Sequence, residues 1–414
     1  MTAQGFLEGR RLQMARGVLL QCIMGGYPPA KFYGSDDGDL ALNADPDQVY
    51  RLPWCDEEPR ALAICDADEL SGESSALSTR GQLKAVIARY ARHGWAPVVA
   101  TELEFFVFAP NTDPTQPFKP PVGLDGRRED GHSAFSVSSN NGLRPFFSEV
   151  YKCMAALDLP RDTFMHEMGV SQFEINLLHG DPLVLADQTF LFKHLLKEVA
   201  LKHGLTVVCM AKPLAHTPGS SMHIHQSVVD ATSGKNIFSD ASGEPTAAFH
   251  HFIGGQQAAM ADFTALFAPN VNSYQRLCHP FASPNNACWS HDNRAAGLRI
   301  PASGPEARRV ENRLPGADAN PYLAIAASLA AGLYGIEQQL QPSAPIQGEF
   351  AVPDHLSLPC TLHAALERLK RSPLAKELFG AEFIEGYVAS KTLELTSFFD
   401  EITPWERRVL AAQA

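Results

Sequence analysis

The chain has 414 residues, 45% of them hydrophobic, with 34 Lys and Arg against 46 Asp and Glu and a formal net charge of −12. Such a chain packs into two domains, or one large domain with a smaller companion, and is not globally disordered. Its acidic balance excludes the basic face that nucleic-acid binders carry. The eight cysteines, Cys22, Cys55, Cys65, Cys153, Cys209, Cys278, Cys288 and Cys360, contain no CxxC pair. Reduced thiols in a cytoplasmic protein are expected, without a cysteine-type structural zinc.

In chain order, "GRRLQMARGVLLQCIMGG" has the outline of a secretory signal, but Gln21 interrupts its apolar run and "GGYPP" is a poor cleavage site. A strand or helix is expected there, in a small strand-rich domain over residues 1–70. The polar "DELSGESSALSTRG" reads as a linker to the remainder, residues 71–414. Ser78 or Thr79 caps a helix through "GQLKAVIARYARHG" that ends at Gly94.

The β-rich "APVVATELEFFVFAP" follows. Residues two apart on a strand share a face, so Glu102 and Glu104 point the same way. A solvated edge strand accounts for that pair equally well. Residues 110–132 form a long Pro- and Gly-rich loop, and a helix spans 145–157. "HEMGVSQFEINL" then offers Glu167 before a glycine turn and Glu174 within a strand. A helix ends at Gly204, the strand "LTVVCMAK" follows, and "AHTPGSSMHIHQSV" sets His223 and His225 on one strand face. Beyond residue 250, helices alternate with irregular Arg- and Asn-rich stretches. These carry Arg276, Arg294 and Arg299, and the alternating Arg309, Glu311 and Arg313. "YLAIAASLAAGLYGI" is too short to span a bilayer and reads as a buried helix. The fold class is α+β, with a mainly antiparallel sheet carrying the polar motifs.

Five glutamates and one or two histidines facing one cavity repel each other unless cations neutralise them. Oxygen donors in that excess suit Mg²⁺ or Mn²⁺ better than zinc. Divalent ions beside many arginines point to phosphoryl transfer, since guanidinium forks grip phosphate and carboxylate. No P-loop or dinucleotide fingerprint is present.

"TELEFF", "GVSQFEINL", "PGSSMHIHQS", "NSYQRL", "DNRAAGLRIP" and "RVENRLPGADANPYL" occur in the order and spacing of glutamine synthetases, from about residue 5 to the C-terminus. "VENRLPGADANPYLAIAASLAAG" and "PFKPPVGLDGRR" most resemble the γ-glutamylpolyamine (γ-glutamylputrescine) synthetase branch. The resemblance implies a small β-grasp domain, a catalytic domain with a curved antiparallel sheet flanked by helices, and homo-oligomeric rings, usually dodecamers or else hexamers. It implies two or three Mg²⁺ or Mn²⁺ ions per site. Glu104, Glu167 and Glu174 would hold one, and Glu102, His223 and Glu311 another. His225, Ser227, Arg299 and Arg309 would lie on the ATP side. Gly219 and Arg276 would meet glutamate, with Arg276 on its α-carboxylate. Arg294, Arg299 and Arg313 would brace the transferring phosphoryl group and the γ-carboxylate. The implied partners are glutamate, ATP and a small amine, with no nucleic acid and no membrane.

Two departures fall on the amine half. Thr2 stands where an aspartate is usual and Glu8 where an arginine is usual, as if the first domain were shortened at its start or the role filled otherwise. After Arg276, Ala282 and Ser283 stand where ammonia-using members carry a flap glutamate. The resemblance therefore implies a glutamate–amine ligase, with an ammonia-dependent glutamine synthetase and a catalytically impaired binding scaffold as alternatives.

Overall fold

The computed structural model describes residues 1–55, 58–131, 133–278, 283–348 and 350–413. A short helix, Ala3–Leu7, opens the chain, and Thr2 is its cap, accepting a hydrogen bond from the Gly5 amide at 3.2 Å. The signal-like stretch divides into strand β1 (Leu12–Ala15) and a 3₁₀ turn, Arg16–Leu20. With β2 (Asp39–Arg51) and β3 (Ala61–Glu69) it forms an antiparallel sheet in the order β1-β2-β3. The β2–β3 register slips between Ala44 and Val49. Pro46 lies there and has no amide to donate to the ladder.

The linker-like stretch turns back on itself through a bridge between Asp68 and Ser74. It then enters the helix Thr79–Arg92, whose Ser78 cap accepts from Gly81 N at 3.1 Å. Gly94 follows with φ 72°, a conformation glycine adopts without a steric penalty.

The second sheet contains β4 (Trp95–Phe108), β5 (Arg161–His166), β6 (Gln172–Leu177), β7 (Thr206–Val208) and β8 (Met222–Asp230). It also contains three short strands, β9 (Trp289–His291), β10 (Leu298–Ile300) and β11 (Val310–Asn312). Its order is β5-β6-β4-β8-β11-β10-β9, with β7 also paired to β4. Only β9 and β10 pair in parallel among the described residues. β7 is shorter than "LTVVCMAK" predicts. The chain leaves the sheet after Val208, and Lys212 N donates instead to the Asn272 side chain at 2.8 Å.

Along β4, Val99, Leu103 and Phe105 are buried on one face and belong to the main core. The helices Thr79–Arg92 and Pro182–Lys202 pack against this strand. Behind them, Ala247–Phe267 crosses Pro321–Glu337, the buried helix expected from its uniformly apolar sequence. A side chain on Gly255 would place its Cβ 2.5 Å from Gly335 Cα, so both glycines are needed where the backbones touch. The structure is thus α+β, as expected. No helix of the described residues is long and apolar enough to cross a membrane.

Candidate active site

Strand register gathers the expected residues on the face opposite Leu103 and Phe105. Glu104 sits across from Glu174 on β6, and Glu102 across from His223 on β8. His225 sits across from Glu311 on β11, and Glu311 across from Arg299 on β10.

Glu167 joins from the turn after β5, its amide donating to Gln172 O at 2.8 Å. The carboxylates of Glu104, Glu167 and Glu174 offer oxygens that all lie within 4.8 Å of one another. Like charges directly opposite on a sheet are destabilising. Burial, followed by the charges of Glu104, Glu102 and Glu167, pushes Glu174 up to about 9. Burial also raises Glu104, and burial with the Glu104 charge raises Glu167. Two buried carboxyls and a half-buried one that resist ionisation, with their oxygens converging, form a donor set for a hard divalent cation.

The second cluster centres on Glu102. Its two oxygens lie 3.0 Å from His223 Nδ1 and 2.7 Å from His225 Nε2. Burial acts to raise Glu102, but hydrogen bonds from both histidines outweigh it and hold the carboxyl well below its usual range. Burial, reinforced by the Arg313 charge, pushes His223 down to about 4, so it is a neutral ring. Its Nδ1 is also 3.7 Å from Glu311. Glu102, His225 and Glu311 present a second triad within 4.8 Å. A carboxylate–imidazole set of this kind also fits a divalent ion. The separate duties expected for the two histidines are not drawn by these distances, since both rings end on Glu102. Arg309 Nε donates to His225 Nδ1 at 3.1 Å, which leaves Nε2 carrying the proton toward Glu102.

Glu311 is fully buried and paired with two guanidiniums, Arg299 at 2.7 Å and Arg313. Arg276 is buried and donates to Leu314 O at 2.7 Å and Arg313 O at 2.9 Å. Burial pulls its guanidinium down to about 10. The Nε atoms of Arg276 and Arg313 are buried donors with no acceptor among the described residues. A bound oxyanion would satisfy such donors. Gly219 lies against Arg276, and a Cβ there would come 2.8 Å from Arg276 Cγ and 2.4 Å from Ala211 O.

His225, Ser227 and Arg309 border a cleft of about 420 Å³ beside Val98, Ala100 and Glu102. A larger depression of about 650 Å³, walled by Asp125, Arg127, Glu129 and Phe173, lies elsewhere. Phe173 points to the face opposite Glu174, so that depression is not where the carboxylates meet. Arg294 is exposed on the loop between β9 and β10 and is not drawn into the cluster. Ser283 is half-buried, whereas Ala282 lies outside the described residues.

Gln172 is the residue that motif reading passes over. Its buried amide accepts from Gly169 N at 3.0 Å and donates toward Glu104 Oε2 at 3.3 Å, Gly219 O at 3.0 Å and Ser220 Oγ at 3.3 Å. It ties the Glu167 turn, a carboxylate of the first triad and the Gly219 loop together. A neutral amide in an apolar strand gives no warning of this in sequence.

Residues 76–410 match the family model for the glutamine synthetase catalytic domain, and the chain belongs to that family of ligases. Members of the family use ATP and divalent metal ions. The chain is 36% identical to γ-glutamylethanolamide synthetase of Streptomyces coelicolor, over 90% of this chain and 79% of that one. It is 33% identical to γ-glutamylputrescine synthetase of Escherichia coli, over 83% and 73% respectively. The solved structure of ligand-free GmaS superposes with a TM-score of 0.78 at 30% identity, covering 90% of this chain and 85% of that one.

Proposed function

We propose that this chain joins the γ-carboxylate of glutamate to a small organic primary amine, with ATP as co-substrate. The observation that carries this reading is one sheet face on which Glu102, Glu104, Glu174, His223, His225 and Glu311 converge, ringed by Arg276, Arg299, Arg309 and Arg313. Phosphoryl transfer needs little beyond positioning and charge neutralisation, and these groups provide both. The relatives that make ethanolamide and putrescine conjugates, together with Ala282 in place of an acid, support an organic amine over ammonium.

Glu104, Glu167 and Glu174 would hold one Mg²⁺ or Mn²⁺, and Glu102 and Glu311 with His223 or His225 a second. Bound there, the ions neutralise the phosphate oxygens. Arg276 orients glutamate through its α-carboxylate, using the Nε donor that has no acceptor among the described residues. The γ-carboxylate oxygen attacks the terminal phosphorus of ATP, expelling ADP and giving γ-glutamyl phosphate. Arg299 and Arg313, fixed by their shared grip on Glu311, face the charge that builds on the transferring oxygens. The amine then attacks the acyl carbon, loses a proton and expels phosphate, leaving the amide. Arg309 and Ser227, bordering the cleft beside Glu102, take the nucleotide.

We take residues 1–70 as a small N-terminal domain, and the assembly as a homo-oligomeric ring, which sedimentation tests. The function is tested by phosphate release with glutamate, ATP and a panel of ammonium, putrescine, spermidine, ethanolamine and monoamines. Turnover with at least one organic amine well above ammonium is expected. Ammonium matching the best amine would make the protein a glutamine synthetase, and turnover with none would make it a scaffold.

A further inference from the structure

Cys278 and Cys360 lie 82 positions apart in sequence, yet they meet in the fold. Cys278 Sγ is 3.5 Å from Cys360 O. The Asn285 amide bridges them, its Nδ2 standing 3.7 Å from Cys278 Sγ and 3.1 Å from Cys360 Sγ. The backbone on each side is fixed. Cys278 closes the helix Val271–Leu277, its amide bound to Tyr274 O. The segment before Cys360 is stitched to the residues just after Asn285 by an Asn286–Ser357 bridge and by Ala287 N donating to Leu356 O at 2.8 Å. Leu356, Leu358 and Leu362 are buried on either side. Two thiols from distant segments are therefore held adjacent, one half-buried and one exposed.

We propose that Cys278 and Cys360 are a redox modification site that closes reversibly to a disulfide. It would tie the end of the helix carrying Arg276 to the segment leading into the helix Leu362–Arg371. Hydrogen peroxide, or another hydroperoxide, is the oxidant. The exposed Cys360 thiolate attacks a peroxide oxygen and displaces hydroxide, becoming a sulfenic acid. The Cys278 sulfur then attacks the Cys360 sulfur. Its proton and the sulfenic hydroxyl leave as water. Two thiols and one peroxide thus give one disulfide and two waters, and a dithiol reductant reverses the step. Cys278 is the resolving partner because burial and the neighbouring Cys360 push its thiol up to about 12, leaving the exposed sulfur to react first.

The test uses the full chain, treated with one to a few equivalents of peroxide, alkylated and digested without reduction. A linked peptide pair containing Cys278 and Cys360 is expected, with two thiols lost per chain and both recovered with dithiothreitol. Neither the pair nor the paired loss should appear in Cys278→Ser or Cys360→Ser, whose circular dichroism checks that they fold. Irreversible oxidation of Cys360 alone, or the same two-thiol loss in Cys278→Ser, would overturn the site. A consequence for turnover rests on the ligase reading: a severalfold rise in the KM for glutamate in the oxidised enzyme, reversed by dithiothreitol. Peptide mapping is independent of turnover, so failure of the site and failure of the ligase reading are told apart.

Discussion

Gln172 concentrates what a single side chain contributes to this site. Replacing it with leucine keeps the bulk but strips Gly169 N of its acceptor and Gly219 O of its donor. Groups that orient metal ligands are worth about 10–100-fold in metal affinity or activity. Gln172→Leu should therefore weaken Mn²⁺ binding to the metal-free protein by about that factor, measured by titration, with turnover falling in parallel. Unchanged Mn²⁺ affinity in a folded variant would refute the positioning role. The carboxylates make a second, pH-dependent prediction. Glu174 is raised from 4.5 to about 9 in the fold, so its contribution to stability is complete below 4.5 and is lost as pH rises through about 9. His223, lowered from 6.5 to about 4, acts on the acid side: its contribution is present above 6.5 and lost as pH falls through about 4. The chelated protein should thus lose urea resistance between pH 5 and 9, and saturating Mn²⁺ should restore it. A chelated protein whose midpoint rises over that range would contradict the buried carboxyl cluster. Alternation alone made the Glu102–Glu104 and His223–His225 pairs legible in the sequence. The meeting of both imidazoles on Glu102 was not legible, because it depends on which strands pair and in which register.

At the scale of elements, helix ends were the most readable feature. Ser78, Gly94 and Gly204 act through local backbone chemistry, which a few neighbouring residues encode. The alternation of Arg309, Glu311 and Arg313 marked β11, whereas β9 and β10 escape such reading, since three residues of strand carry no periodicity and exist only through their partners. The crossing of Ala247–Phe267 with Pro321–Glu337 was half legible. The second helix announces burial by composition, but the need for small residues at the contact appears only when the backbones are brought together. On Gly335 a Cβ would meet His251 O at 2.1 Å and Gly255 Cα at 2.5 Å, both main-chain atoms that no rotamer change can move. Gly335→Ala should cost about 1–3 kcal/mol, the usual range for overpacking. It should be read as a lower urea midpoint beside Gly304→Ala, an exposed control with nothing within 4 Å of its Cβ. Equal midpoints for the two variants would show that the helices can part without penalty.

Across the whole molecule, a buried guanidinium helps fasten the first sheet to the body that carries the site. Arg80 lies in a polar stretch that reads as a linker, yet it is buried. It donates to Asp187 at 3.0 and 2.9 Å, to Asp66 at 2.5 Å and to Asp45 at 2.6 Å. Asp45 and Asp66 come from β2 and β3, whereas Asp187 lies on Pro182–Lys202 and also accepts from the Tyr322 hydroxyl at 2.6 Å. Composition could not show this, because a charged residue among serines has the same pattern whether solvated or enclosed by acids that the fold brings in from both sides of it in the sequence. Breaking a buried pair from one side is worth about 3–5 kcal/mol, since it strands the remaining charge. Arg80→Met should destabilise by about that amount, while Arg80→Met with Asp187→Leu should recover a substantial part of it. Denaturant unfolding of the two single variants and the double variant measures this coupling. If the double variant loses the sum of the single losses, Arg80 and Asp187 act independently, and the attachment of the first sheet rests on its other ties, such as Lys84 to Asp66 at 2.7 Å and Arg16 to Glu382 at 2.8 Å.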